Sequence, residues 1–105
     1  MLHFFKIEDL TRKTDPEVFS EYLENKGWSR IPGEGIDLRV YRIERYGILF
    51  QATIPFDSEL DLYGLEMYRA VDVVAEVERI LPEQLVARLL GLEKEEKEIV
   101  FVRVP

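Results

Sequence analysis

Two rhythms of apolar and polar positions run along this chain. LHFFKI (2–7) is short, apolar and aromatic, and predicts a strand. The rhythm then turns helical, with Val18, Phe19, Tyr22 and Leu23 on one stripe. Start signals precede that stripe: Thr14 or Asp15 as cap, Pro16 in the first turn and Glu17 at the positive end of the dipole. Gly27 supplies the stop of a helix over 15–26, and Trp28 is placed to fold back on its apolar face. IDLRVYRIE (36–44) and YGILFQATIP (46–55) are β-rich runs joined at Arg45-Tyr46-Gly47, where Gly47 supplies the positive φ of a tight hairpin. Ile48, Phe50, Ala52 and Ile54 alternate to one face of the second run, with Gln51 and Thr53 on the other.

The longest helical pattern spans 58–81. Leu60, Tyr63, Met67, Val71, Val74 and Val77 form its stripe, which Leu62, Leu65, Val73 and Ile80 widen beyond the usual arc. Arg69, Asp72, Glu76 and Arg79 lie opposite, as helical neighbours of alternating sign. Pro82 ends this helix and opens another, carrying Leu85, Val86, Leu89 and Leu90 up to a stop at Gly91. A solvated charge run, EKEEKE (93–98), leads into a closing strand, EIVFVRV (98–104). The order β-α-β-β-α-α-β describes one α+β domain over 1–105, a small single-layer sheet packed by helices.

Composition narrows the function classes. Apolar residues make up 47% and charged residues 33%, the balance of a folded globular chain. No apolar run approaches the ~20 residues of a membrane span, and the opening residues lack the pattern of a signal peptide, so a cytoplasmic location is expected. The absence of cysteine excludes disulfides and thiolate chemistry. One asparagine and two glutamines among abundant Glu, Lys and Arg resemble thermophile usage. The formal charge of -7 is unevenly spread, at -5 over 57–80 against +2 over 26–45. Nucleic acid and anionic lipid are therefore disfavoured partners.

Little in the sequence points to catalysis. His3 stands in a strand without companion ligands and reads as structural; one histidine and no cysteine cannot build a zinc site. The Gly-Glu-Gly of IPGEG (31–35) contains an acid and precedes a strand, whereas a phosphate loop needs bare amides opening into a helix. Ser20, Ser29 and Ser58 have no arrangement recalling an activated nucleophile. No cofactor or metal is expected, and no catalytic residue is assigned.

The acids Asp57, Glu59 and Asp61 are read first as helix punctuation. Ser58 as cap and Asp61 three residues on have the capping-box spacing, and Asp57 and Glu59 add charge where the dipole favours it. A partner-binding acidic surface and a divalent-metal site are the alternatives. Arg30, Arg39, Arg42 and Arg45 form the basic concentration; Arg39 and Arg42 fall on opposite strand faces, and ion pairing is their leading role. Tyr41 and Tyr46 near them suit either an interface or a sheet edge.

The series FSEYLENKGW … VYR … ILFQATIPFD … YGLEMYRAVDVVAEVE … LLG … IVFVRV resembles the opening domain of a widespread group of uncharacterised bacterial proteins. Gly27, Trp28, Pro55, Asp57, Tyr63, Met67 and Glu78 match that pattern. The chain departs from it at Leu62, where the group carries an acid before the tyrosine. The resemblance implies a fold and no activity. The function expected is a small intracellular module that binds a protein partner or itself. Tyr63, Tyr68, Leu85, Val86, Leu89 and Leu90 are its interface candidates, with completion of the monomer core as the competing role. An acidic accessory protein, antitoxin-like or a nucleic-acid mimic, would instead use Asp57, Glu59 and Asp61 on a basic target. An enzyme using carboxylates with a divalent metal is the third class.

Overall fold

The computed structural model describes residues 11–32, 35 and 37–91. Helix α1 (Pro16–Asn25) leads into strand β1 (Ser29–Ile31), then β2 (Leu38–Arg45), β3 (Ile48–Pro55), α2 (Tyr63–Glu78) and α3 (Pro82–Leu89). The strands form one antiparallel sheet in the order β1-β2-β3. This is the expected α+β architecture. The strands expected at 2–7 and 98–104, His3 and the charge run 93–98 lie outside the described residues.

Local chemistry accounts for most boundaries. The Asp15 carboxylate accepts the Glu17 amide at 2.9 Å and Pro16 fills the first turn, so α1 starts where its signals stand. At its end the Trp28 amide donates to the Leu23 carbonyl and the Gly27 amide to that of Glu24. This is a Schellman stop, with Gly27 taking the left-handed position at φ 94°. Trp28 then packs into the core, and the extended chain beyond it pairs with β2 as β1. Three residues are too few to show a period of two, so β1 carried no sequence signal. At the start of α3, the Gln84 side chain accepts the Leu81 amide at 2.9 Å, and Pro82 takes the first turn.

The start of α2 differs from expectation. Ser58 does not cap it, and the helix begins at Tyr63. The Asp57 carboxylate accepts the Glu59 amide at 3.0 Å, the Leu60 amide donates to the Asp57 carbonyl, and the Tyr63 amide to that of Leu60. Asp57 thus spends its side chain on a local turn two residues ahead, which holds 57–62 out of the helix. The N-cap position falls to Leu62, which has no side-chain acceptor.

The core lies between one sheet face and the helices. Tyr41 and Ile43 of β2 face Ala52 and Phe50 of β3 across the register, and Ile54 lies on the same face. Met67, Val71, Val74 and Val77 of α2, Phe19 and Leu23 of α1, and Leu85, Val86 and Leu89 of α3 close over them. Side-chain contacts of Tyr41 and Arg39 seat α1 on β2. The Tyr41 hydroxyl is hydrogen-bonded to that of Ser20 and donates to Glu24 at 2.8 Å; Arg39 bridges to Glu17 at 3.1 Å. Arg39 also lies over the Phe56 ring, 4.2 Å from its centre. β3 and α3 both pack against α2, and Val73 and Ile80 are half-buried against the core. Leu65 is exposed and Leu62 lies exposed ahead of the helix, so the stripe is narrower than the sequence suggests.

Candidate functional site

The hairpin turn carries the chain to one end of the molecule. Tyr46 and Gly47 both take positive φ, 57° and 73°, the requirement of a two-residue type I′ connection. Gly47 adopts this freely. Tyr46 does not, because a bulky side chain in the left-handed region is strained. Tertiary contacts hold it there: its hydroxyl donates to the Val77 carbonyl at 3.0 Å, and the Arg79 guanidinium lies 4.4 Å from its ring centre.

Arg79 is itself left-handed, at φ 59°. It occupies the glycine position of a second Schellman motif, in which the Ile80 amide donates to the Ala75 carbonyl and the Arg79 amide to that of Glu76. The same motif at α1 uses Gly27. Among the described residues, Tyr46 and Arg79 are the two non-glycine positions with positive φ, and they stack on each other.

Beside this pair opens a cleft of about 320 Å³. Lys26 and Trp28 line it from the end of α1, Arg45 and Tyr46 from the hairpin, Val77, Glu78 and Ile80 from the end of α2, and Arg88 from α3. Within it Glu78 accepts from the Tyr22 hydroxyl at 2.5 Å and from Arg88 at 3.5 Å, so one carboxylate ties α1, α2 and α3 together. Its second oxygen is buried without a hydrogen-bond partner among the described residues. Burial, with the bonded carboxylate adding to it, pushes the Tyr22 phenol up to about 12. Arg45 reaches the Lys26 carbonyl at 3.5 Å, and the Lys26 ammonium stands 5.5 Å from the Tyr22 ring centre. Helices α1 and α2 both end here, where their dipoles favour cations.

Three cations thus line a cleft in a chain of net charge -7. On the hairpin beside it Tyr46 is 55% exposed and Ile48, paired with Arg45 on the core-facing side of the sheet, 54%; Leu49 lies on the opposite sheet face. The lining has one carboxylate, already bonded, and one phenol, already donating, with no serine, threonine or histidine.

The expected site residues fall elsewhere. Leu85, Val86, Leu89 and Tyr63 are buried in the core, the competing role stated for them, while Tyr68 and Leu90 are half-buried against it. Burial holds the Tyr63 and Tyr68 phenols above their ordinary range. Glu59 and Asp61 are exposed at the opposite end of β3, beside the exposed Leu60 and Leu62, and Asp57 is half-buried in its turn. Of the four arginines, Arg39 is paired to α1, Arg42 bonds Gln51 across the strands at 2.8 Å, and Arg45 reaches the cleft. Tyr46 was legible as a neighbour of the arginines; Lys26, Arg79 and Arg88 come from other elements and carried no common signal. A second hollow, of about 160 Å³ between β3 and α2, has Glu66 and Arg69 3.7 Å apart on its wall.

Among the described residues no group of His, Asp or Glu side chains comes together to hold a metal ion, and no helix is long and apolar enough to cross a membrane. No protein-family model matches the chain, and neither a curated protein nor a solved structure matches it significantly.

Proposed function

We propose that this domain is a non-catalytic protein-binding module whose binding surface is the hairpin end, and that it receives an acidic, leucine-bearing segment of a partner. One observation carries the reading: two non-glycine residues, Tyr46 and Arg79, are held in left-handed conformations against each other at the rim of the cationic cleft. Backbone strain of this kind persists where the side chain is needed in that place. The cations supply recognition of carboxylates, and exposed Tyr46 and Ile48 supply apolar area for the segment's leucines.

Calorimetric titration with a synthetic peptide of alternating glutamate and leucine tests this. The native chain binds it, and Lys26→Glu with Arg45→Glu weakens binding at least tenfold. Equal affinity in the double variant, or no heat with the native chain, overturns the reading.

A second reading, an acidic docking surface, has its own support in Glu59 and Asp61, exposed in the turn that precedes α2. The two surfaces are compatible, because they occupy opposite ends of the molecule.

A further inference from the structure

We infer that the acidic segment received by the hairpin end is the loop 57–62 of a second copy of this chain, so that copies join head to tail. The inference rests on the binding surface proposed above and names its occupant. The loop has the required chemistry: Glu59 and Asp61 are exposed and alternate with Leu60 and with Leu62, the latter 59% exposed. The receiving end offers Lys26, Arg45 and Arg79 beside exposed Tyr46 and Ile48. Charge and apolar area are complementary in both directions.

Both surfaces also break local rules. A glycine suits the Arg79 position better, and a small hydrogen-bonding residue such as asparagine suits the Tyr46 position. A capping residue suits the Leu62 position, where the chain instead exposes an apolar side chain. Such departures gather where a protein gives up local fitness for function. Here they fall on the two surfaces that complement each other.

The contact cannot close within one copy. The eight residues of β3 separate the loop from the hairpin turn by about 25 Å at ~3.3 Å per residue. The sixteen residues of α2 bridge a similar distance, about 24 Å at ~1.5 Å per residue. A contact between two different patches is heterologous, so an open chain of copies keeps one free receiving end and one free loop at its two termini unless a ring closes.

Mixing two complementary variants tests this directly. Lys26→Gln with Arg45→Gln removes the charge of the receiving end and leaves the loop; Glu59→Gln with Asp61→Asn does the reverse, leaving the Asp57 turn intact. Neutral replacements create no swapped attraction between the two variants. All four residues are exposed. Folding of each variant is checked by thermal melting, and alanine versions replace any that melt early. Sedimentation from about 10 μM to about 1 mM, the range of weak association, is expected to show the native mass rising with concentration. Each variant alone stays monomeric, and an equimolar mixture stops at twice the monomer mass. A native chain that stays monomeric throughout overturns the inference, as does a mixture that does not pair. If the glutamate–leucine peptide still binds in that case, only the occupant is wrong; if it does not, the binding surface falls too.

Discussion

Arg79 sits where a glycine would relax the backbone, and its guanidinium covers the Tyr46 ring. Relieving a left-handed non-glycine residue gives about 1 kcal/mol, so Arg79→Gly is expected to raise unfolding stability by up to that amount. Loss of the stack on Tyr46 offsets part of the gain. The same change is expected to weaken acidic-peptide binding several-fold, and chemical denaturation alongside titration reads both. Clear destabilisation with unchanged binding would make Arg79 a structural residue only. Tyr22 supplies a pH signature. Its phenol is neutral in the folded state up to about 12, against about 10 when unfolded. The folded state therefore holds its proton more tightly, and that stabilisation is complete below pH 10 and lost as pH rises from 10 to 12. Tyr41, Tyr63 and Tyr68, raised mainly by burial, act in the same sense. Tyr22→Phe is expected to flatten part of this alkaline fall, and to lower neutral-pH stability by about 1 kcal/mol through loss of the bond to Glu78.

At the scale of elements, local signals were legible and competing ones were not. Asp15-Pro16, Gly27, Gly47, Pro82 and Gly91 each impose a conformation through one or two neighbours, so α1, the hairpin and α3 could be read from the chain. The approach to α2 held two local solutions. Ser58 could cap a helix, or Asp57 could close a turn, and the turn was formed. The uncapped start that results predicts that Leu62→Ser stabilises the chain by about 1 kcal/mol and removes apolar area from the loop. Higher stability with weaker self-association is the expected pair of results; a variant that assembles as well as the native chain would count against the loop as occupant. In α3 the apolar stripe was legible, but its destination was not, since a stripe looks alike whether it meets its own core or a partner. Leu85 is fully buried, so Leu85→Ala is expected to cost about 2–5 kcal/mol in denaturant unfolding.

For the whole molecule, the site was hidden because its parts are scattered. Lys26, Arg45, Arg79 and Arg88 come from four places along the chain, and two of them lie in the acidic half, where charge counting pointed away from a cationic site. Only packing of the hairpin against the end of α2 assembles them. The result is a chain with a cationic, apolar hairpin end and an acidic, leucine-bearing loop at the other, under a net charge of -7. The cleft is lined in part by the chain's one tryptophan, Trp28, whose emission is expected to change when an acidic segment occupies it. The central claim is tested most directly by following that emission during titration with the glutamate–leucine peptide at about 0.05 M and about 0.5 M salt. A saturable change at low salt, weakened at least tenfold at high salt and lost with Lys26→Glu and Arg45→Glu, is the predicted result. An emission that does not respond to the peptide, or that responds equally in the charge-reversed variant, would contradict it.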